Sequence, residues 1–154
     1  MASRPLELVL ARAEPDSAPA LTCLTQAAKA SWGYRPEFLA AWREELTVDA
    51  EFFRAHIAWT ITLNGELAGW GAWVAWGRRC RLEHLWIAPA YQRQGLGRVL
   101  LRHLAQEARA TGWRELEIVS DPFAAPFYRA CGAQAAGEFE TGPGRILPVF
   151  VLAL

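Results

Sequence analysis

The stretch PAYQRQGLGR at residues 89–98 decides the fold of this chain. A predicted strand ends just before it, a short loop follows, and a long helix begins at Gly95 and Gly97. Glycine lets a ligand approach the backbone closely, and the start of a helix presents N–H groups that have no partner within the helix. The stretch therefore predicts either an anion site, suited to a phosphate or pyrophosphate, or a glycine turn that simply starts a helix.

An anion site at this position would need several donors acting together. The helix dipole contributes only about 0.3–1 kcal/mol, whereas each charge-assisted hydrogen bond contributes roughly 1.5–3 kcal/mol. Arg93 and Arg98 are the candidate cations. Two other phosphate-binding motifs are excluded. A dinucleotide-binding fingerprint needs a third glycine where the chain has Leu100, and a P-loop needs Gly-Lys followed by Ser or Thr, which the sequence lacks.

The elements on either side are predicted from hydrophobic periodicity and turn signals, the clearest being the hairpin dipeptide Asn64-Gly65. A loop with Gly142, Pro143 and Gly144 joins the last two strands. From their order we predict a single α/β domain at 1–154, with a central, mostly antiparallel sheet of about seven strands and one βαβ unit after Arg81. The predicted elements are strand 6–11, helices 18–30 and 35–46, strands 57–63, 67–76 and 81–87, helix 95–110, strand 116–119, helix 124–131 and strands 134–139 and 146–152.

Composition narrows the class of protein. Sixteen basic residues balance sixteen acidic ones, which argues against a general affinity for nucleic acid or anionic membrane. The three cysteines are widely spaced and form no CxxC pair, so we expect neither a metal site nor a disulfide framework. The N-terminus MASRP precedes no long apolar run, and no spanning segment is predicted. We therefore expect a cytoplasmic protein with reduced thiols.

Two motifs in the chain resemble a known family. Gln92-x-x-Gly95-x-Gly97 is similar to the R/Q-x-x-G-x-G/A motif of the GNAT superfamily of N-acetyltransferases. Downstream, the segment DPFAAPFYRACGA at 121–133 resembles the family's N-x-x-A-x-x-h-Y-x-x-x-G-F segment, with Asp121 in place of Asn and Ala133 in place of Phe. The strand LEHLWI at 82–87 and the order of elements match as well, so the resemblance covers nearly the whole chain.

The resemblance implies a GNAT-like three-layer fold and acetyl-CoA as the co-substrate, bound where the fourth and fifth strands splay apart. The backbone of Trp86 and Ile87 would pair with the pantetheine arm, and Asp121 and Phe127 would line the far side of the thioester. The residues that would cradle the pyrophosphate are Gln92, Arg93, Gln94, Gly95, Leu96, Gly97 and Arg98.

The resemblance also assigns the chemistry. Tyr128 matches the family's tyrosine, and it would protonate the departing thiolate; the alternative is a tyrosine packed on its helix with a local hydrogen bond. Glu83 is the candidate base that takes a proton from the amine, in an apolar cleft that would raise its pKa. The alternative is a solvated carboxylate paired with Arg81. On a regular strand His84 faces away from Glu83, as a hydrogen-bonded core residue.

The acceptor is predicted as an amine of a small molecule or a peptide. Trp32 and Tyr34 could form an aromatic wall for its cation, and Glu138 could attract it; alternatively, Trp32 belongs to the core and Glu138 is solvated. The other class of function is a non-catalytic acyl-CoA-binding or regulatory module, which would need neither Glu83 nor Tyr128. The apolar final strand suits pairing with a second copy, and a homodimer is expected.

Overall fold

The structure is a computed structural model that describes residues 4–142 and 144–154. Met1–Ser3 at the N-terminus and Pro143 of the predicted loop lie outside the described residues. The strands are β1 (Leu8–Arg12), β2 (Ala58–Leu63), β3 (Glu66–Trp76), β4 (Arg79–Ile87), β5 (Glu115–Val119), β6 (Gln134–Glu140) and β7 (Ile146–Ala153). The α-helices are α1 (Ala18–Ala30), α2 (Pro36–Ala41), α3 (Ala50–Ala55), α4 (Leu96–Ala110) and α5 (Ala125–Ala130).

The strands form one sheet of order β1-β2-β3-β4-β5-β7-β6. The pairs β1–β2, β2–β3, β5–β7 and β6–β7 are antiparallel. Strand β4 pairs with β5 in parallel, with Arg81 opposite Glu117. The connection between these two strands contains α4, as a parallel pair requires. The predicted mostly antiparallel sheet with one βαβ unit is confirmed.

The hairpin between β2 and β3 has the turn that its sequence predicts. Asn64 and Gly65 both adopt positive φ, at 53° and 82°, which is the requirement of a type I′ turn. The side chain of Asn64 also accepts a hydrogen bond from the amide of Glu7 at 3.0 Å. The turn therefore fixes the register of β3 on β2, apart from a bulge next to Ile61.

The region between α1 and β2 differs from the prediction. The predicted helix 35–46 is wrong in its second half, because α2 ends at Ala41 and turns follow. Those turns bury Leu46 and lead to Val48, whose amide and carbonyl both bond to the hydroxyl of Thr22. The short helix α3 was not predicted, although Asp49 caps it by accepting a hydrogen bond from the amide of Phe52 at 2.9 Å.

The chain divides into two compact units. The first unit comprises Met1–Ala72 and His84–Leu101, and the second comprises Trp73–Glu83 and Arg102–Leu154. Trp70 is fully buried in the core of the first unit, where it packs with residues of α1, α3 and β2. The largest fully buried side chain of the second unit is Phe150, on β7. Within the described part of the chain, no helix is both long and apolar enough to cross a membrane.

Candidate functional site

The loop before α4 has the backbone shape of an anion cradle. Arg93 and Gly95 both adopt positive φ, at 62° and 82°. The first helical hydrogen bond then runs from the amide of Val99 to the carbonyl of Gly95 at 3.2 Å. Residues that alternate between right-handed and left-handed backbone conformations turn successive amide N–H groups toward one side. The start of the helix adds its own unpaired N–H groups. The loop therefore concentrates N–H donors, and the exposed side chain of Arg93 carries a positive charge beside them.

Gln92 fastens this cradle to the end of β4. Its side-chain amide donates to the carbonyl of Ile87 at 3.0 Å and to the hydroxyl of Ser31 at 3.3 Å. Gln94 makes a weaker bond from its side chain to the carbonyl of Ala90 at 3.4 Å. These hydrogen bonds of Gln92 stabilise the loop, in addition to any contact that the side chain makes with a ligand.

The end of β4 also requires a glycine on the neighbouring strand. A Cβ atom placed on Gly69 would lie 2.6 Å from the carbonyl oxygen of Trp86 and 2.5 Å from the Cδ1 atom of Ile87. The amide of Ala88 donates to the carbonyl of Ala68 at 2.8 Å, just beyond this contact. Gly69 therefore sets how closely β3 approaches the residues predicted to bind the pantetheine arm. Sequence reasoning missed it, because a glycine within a strand shows no partner in the sequence.

His84 and Trp86 share one side of β4. The indole N–H of Trp86 donates to Nδ1 of His84 at 3.1 Å, and the imidazole stacks on Trp70 with ring centroids 4.5 Å apart. Burial lowers the pKa of His84 to about 4. His84 is therefore neutral at pH 7. It is hydrogen-bonded, as expected, but it is only partly buried.

Trp32 and Tyr34 lie beside a cation of the same chain. The Nζ atom of Lys29 is 5.4 Å from the ring centroid of Trp32, 5.0 Å from that of Tyr34 and 4.8 Å from that of Trp42. Trp32 also approaches Trp86, with ring centroids 6.1 Å apart. The two predicted acceptor residues thus belong to one aromatic cluster of the first unit, together with Lys29 and Trp42, which sequence reasoning had not connected with them.

In the second unit, α5 places Tyr128 in an apolar setting. Tyr128 is 7% exposed, and its ring contacts those of Phe127 and Phe150 at centroid distances of 5.1 and 6.4 Å. Burial raises the pKa of the phenol, and the nearby Cys131 and Asp121 raise it further. The phenol therefore keeps its proton across the physiological range, which a general acid must do until its acceptor forms.

Asp121 lies at the end of β5 and organises the turn that leads to α5. Its Oδ1 atom accepts a hydrogen bond from the amide of Phe123 at 2.8 Å. Ser120, 1% exposed, donates its hydroxyl proton to the backbone carbonyl of Asp121 at 2.7 Å. Sequence reasoning missed Ser120, whose hydroxyl gives no motif signal although it helps to fix the residue after it.

Glu83 is exposed on β4. The alternative in which it pairs with Arg81 is wrong, because Arg81 makes two hydrogen bonds to Oε1 of Glu117, at 2.8 and 3.1 Å. Arg79 bonds to the other oxygen of Glu117 at 2.7 Å. Burial acts to raise the pKa of Glu117, but the hydrogen bonds and charges of the two arginines outweigh it and lower the pKa.

Glu138 lies exposed on β6, at the edge of a broad groove of about 1060 Å³ within the second unit. Trp76 and Phe139 also line this groove, and the guanidinium of Arg81 lies 3.8 Å from the ring centroid of Trp76. The groove therefore offers aromatic surface and both signs of charge.

Among the described residues, no group of three or more His, Cys, Asp or Glu side chains is arranged to hold a metal ion.

Comparison with known proteins gives the family. The acetyltransferase (GNAT) family matches residues 24–133. The chain is 39% identical over 83 residues to streptothricin acetyltransferase of Streptomyces lavendulae, a match that covers 50% of this chain and 43% of that protein. The chain thus spans less than half the length of this curated relative.

Solved structures show the same fold at low identity. A GCN5-related N-acetyltransferase from Rhodopseudomonas palustris has a TM-score of 0.80 at 20% identity, covering 99% of this chain and 100% of that one. The PaiA N-acetyltransferase of Thermoplasma acidophilum, solved with coenzyme A, has a TM-score of 0.76 at 13% identity, covering 96% and 99%. Since the family match includes both the cradle and Tyr128, this chain belongs to the GNAT acetyltransferase family.

Proposed function

We propose that the protein is an N-acetyltransferase that moves an acetyl group from acetyl-CoA to an amine. The observation that carries this proposal is the cradle at the start of α4, where Arg93 and Gly95 take positive φ within the family's motif. Family membership and the complex of the PaiA relative with coenzyme A support the same donor.

The cradle fits the pyrophosphate of this donor. Nothing within 4 Å would contact a Cβ atom at Gly95, so the loop is open at the place where a phosphate must approach the backbone. The amides of the loop and of the helix start supply donors, and Arg93 and Arg98 supply charge. Trp86 and Ile87 would hold the pantetheine arm. Asp121 and Phe127 would serve the thioester end, where the donor contributes an activated acyl group.

Two side chains of the second unit would move the protons. An alkylamine is mostly protonated at pH 7, so it must lose a proton before its lone pair can attack a carbonyl carbon. Glu83 would accept that proton, directly or through a water molecule. As the carbon–nitrogen bond forms and the carbon–sulfur bond breaks, Tyr128 would donate its phenolic proton to the departing sulfur. The acylated nitrogen would then lose its second proton, which restores the phenol of Tyr128 and leaves a neutral amide and the free thiol. The raised pKa of Tyr128 supports its protonated starting state.

The acceptor would be an amine of a small molecule or of a peptide. The streptothricin acetyltransferase relative favours a small molecule. A ribosomal-protein-S18-alanine N-acetyltransferase from Escherichia coli has a similar fold, with a TM-score of 0.70 at 22% identity, covering 96% of this chain and 94% of that one, and it favours a peptide amine. Trp32, Tyr34 and Glu138 remain the proposed acceptor residues.

Thiol release tests the enzymatic proposal against a non-catalytic acyl-CoA-binding module. The purified protein is mixed with acetyl-CoA and a panel of small and peptide amines, and free coenzyme A is measured with a thiol reagent. Amine-dependent release, reduced in both Glu83→Gln and Tyr128→Phe, is expected of the enzyme. Tight acetyl-CoA binding with no release for any amine would favour the binding module.

We further take residues 1–154 as one GNAT domain, because the family match includes residues of both units.

A homodimer is supported by the edge strand β6, all of whose residues are exposed. Ile146 on β7, which is 54% exposed, supports it as well. Light scattering coupled to gel filtration checks it, and a monomer at all concentrations would contradict it. The cysteines Cys23, Cys80 and Cys131 form no disulfide with one another, which supports a cytoplasmic location.

A further inference from the structure

Lys29 is the only lysine of the chain; the other fifteen basic residues are arginines. It lies in the last turn of α1 and is 6% exposed. Lysine is rarely this deeply buried unless its ammonium group has compensating interactions. The burial of the Lys29 ammonium group therefore needs a physical explanation, which an exposed arginine would not need.

Three aromatic rings lie around the ammonium group and contribute to this compensation. The Nζ atom lies 5.4, 5.0 and 4.8 Å from the ring centroids of Trp32, Tyr34 and Trp42. All three distances are within the roughly 6 Å over which a ring face attracts a cation. Tyr34 and Trp42 also contact each other edge to face, with centroids 4.8 Å apart. The rings come from the break after α1 and from the end of α2, so they converge on the cation from separate places in the sequence.

A compact ammonium suits this arrangement better than a guanidinium. The ammonium group is a point charge on a flexible stem, whereas the guanidinium is a planar fork that prefers bidentate partners or stacking on one ring. In the same protein, the guanidinium of Arg81 lies 3.8 Å from the ring centroid of Trp76 and 6.0 Å from that of Phe139. Lys29 therefore has three rings within about 6 Å of its charge, whereas Arg81 has two.

The cluster continues to the end of β4. Trp32 lies 6.1 Å from Trp86 between ring centroids, and Trp86 in turn bonds to His84. Next to Trp32, the hydroxyl of Ser31 accepts a hydrogen bond from Gln92 of the cradle. The segment after α1 therefore contacts two of the proposed donor-binding residues, Trp86 through Trp32 and Gln92 through Ser31.

We propose that Trp32, Tyr34 and Trp42 form an ammonium-binding box, that Lys29 is its resident cation, and that the charge of Lys29 positions Trp32 beside Trp86. The box itself is independent of the enzyme's activity. The positioning role rests on the proposed function, since Trp86 is a proposed donor contact.

The single lysine allows a test on the unmodified protein. Labelling with ¹³C-lysine gives one ε-methylene signal, and ring currents from surrounding aromatic faces should shift it upfield from the position in an unstructured peptide. The shift should vanish in urea. A signal at the unstructured position in the folded protein would overturn the box.

Chemical complementation tests whether the box binds a cation. The atoms that Lys29→Ala removes from the lysine side chain correspond to n-propylammonium. The neutral control is 1-propanol. We expect n-propylammonium to raise the melting temperature of Lys29→Ala, and to do so less for the wild-type protein, whose box is filled. Equal effects of the ammonium and the alcohol on Lys29→Ala would show that only bulk matters and would overturn the cation site.

The positioning role is tested with Lys29→Met, which keeps the length of the side chain and removes its charge. We expect its Kd for acetyl-CoA to rise about 3- to 10-fold, with Lys29→Arg intermediate. An unchanged Kd would overturn the positioning role while leaving the box, which the two preceding experiments test. No acetyl-CoA binding by the wild-type protein would overturn the proposed function and the positioning role together.

Discussion

The indole N–H of Trp86 donates to Nδ1 of His84 at 3.1 Å, so the imidazole serves as an acceptor, a role that the doubly protonated ring cannot fill. The relationship joins two residues at the proposed donor-binding end of β4. It also makes the stability of the first unit sensitive to the protonation of His84.

Stability should fall on acidification because of His84. Its pKa is about 4 in the folded protein and near 6.5 in the unfolded chain, so the unfolded state binds more protons between these values. The free energy of unfolding should therefore decrease as pH falls through this window, by up to about 3 kcal/mol from this group. Urea unfolding at a series of pH values measures it.

The matched variant for this prediction is His84→Gln, which retains a hydrogen-bond acceptor for Trp86 but does not titrate. Its loss of stability between neutral and acidic pH should be smaller than that of the wild-type protein. Parallel pH profiles for the two proteins would assign the effect to other groups.

Gly95→Ala should weaken acetyl-CoA binding roughly tenfold. Gly95 has φ of 82° and open space around it, so an added methyl group meets no neighbour and the cost is that of left-handed backbone, about 1–2 kcal/mol. The loop relieves this strain by leaving the cradle conformation. Isothermal titration measures the affinity.

Gly112→Ala is the control, because Gly112 has φ of 104°, is equally open and follows the last turn of α4. It should lower stability in the same way and leave acetyl-CoA affinity unchanged. A similar loss of affinity in both variants would remove the special role of the cradle.

Tyr128→Phe should lower kcat by about 100-fold and leave acetyl-CoA affinity nearly unchanged, because it removes a proton donor but keeps the ring between Phe127 and Phe150. Steady-state kinetics and titration measure the two quantities separately. Tyr91→Phe, at a tyrosine that bonds to Glu66, should retain its kcat. Normal turnover by Tyr128→Phe would exclude the acid role.

Gly69→Ala should destabilise the first unit by about 1–3 kcal/mol, because the added Cβ atom would overlap the carbonyl of Trp86 and the side chain of Ile87. The larger Gly69→Ser should cost more. Thermal and urea unfolding give the stability, and acetyl-CoA titration shows whether the end of β4 has moved. Wild-type values for both variants would mean that β3 can shift without consequence.

Local signals in the sequence predicted the elements whose causes are local. Helix α1 at Ala18–Ala30 matches its prediction, because Pro15, Asp16 and Ser17 mark its start and the break at Gly33 follows its end. The hairpin at Asn64 and Gly65 likewise depends on the two residues of the turn. By contrast, the turns after α2 lead to Val48, which bonds to Thr22 on a different helix, and a contact of this kind gives no local signal in the sequence.

The candidate site shows the same division. The motif with Gln92, Gly95 and Tyr128 could be found in the sequence, since its residues stand at fixed spacings. The pairing of Arg81 with Glu117, 36 residues away, depends on which strand lies next to β4, so the sequence suggested the nearer Glu83 instead. The box around Lys29 depends on three rings converging in space, which no spacing rule describes.

Isothermal titration of the purified protein with acetyl-CoA, with coenzyme A and ADP as controls, tests the central claim most directly. We predict binding of about one acetyl-CoA per chain, with coenzyme A binding comparably and ADP more weakly, because the cradle recognises the pyrophosphate and β4 the pantetheine arm. No binding of acetyl-CoA at millimolar concentration would contradict the assignment of residues 92–98 as the donor cradle, and with it the proposed acetyl transfer.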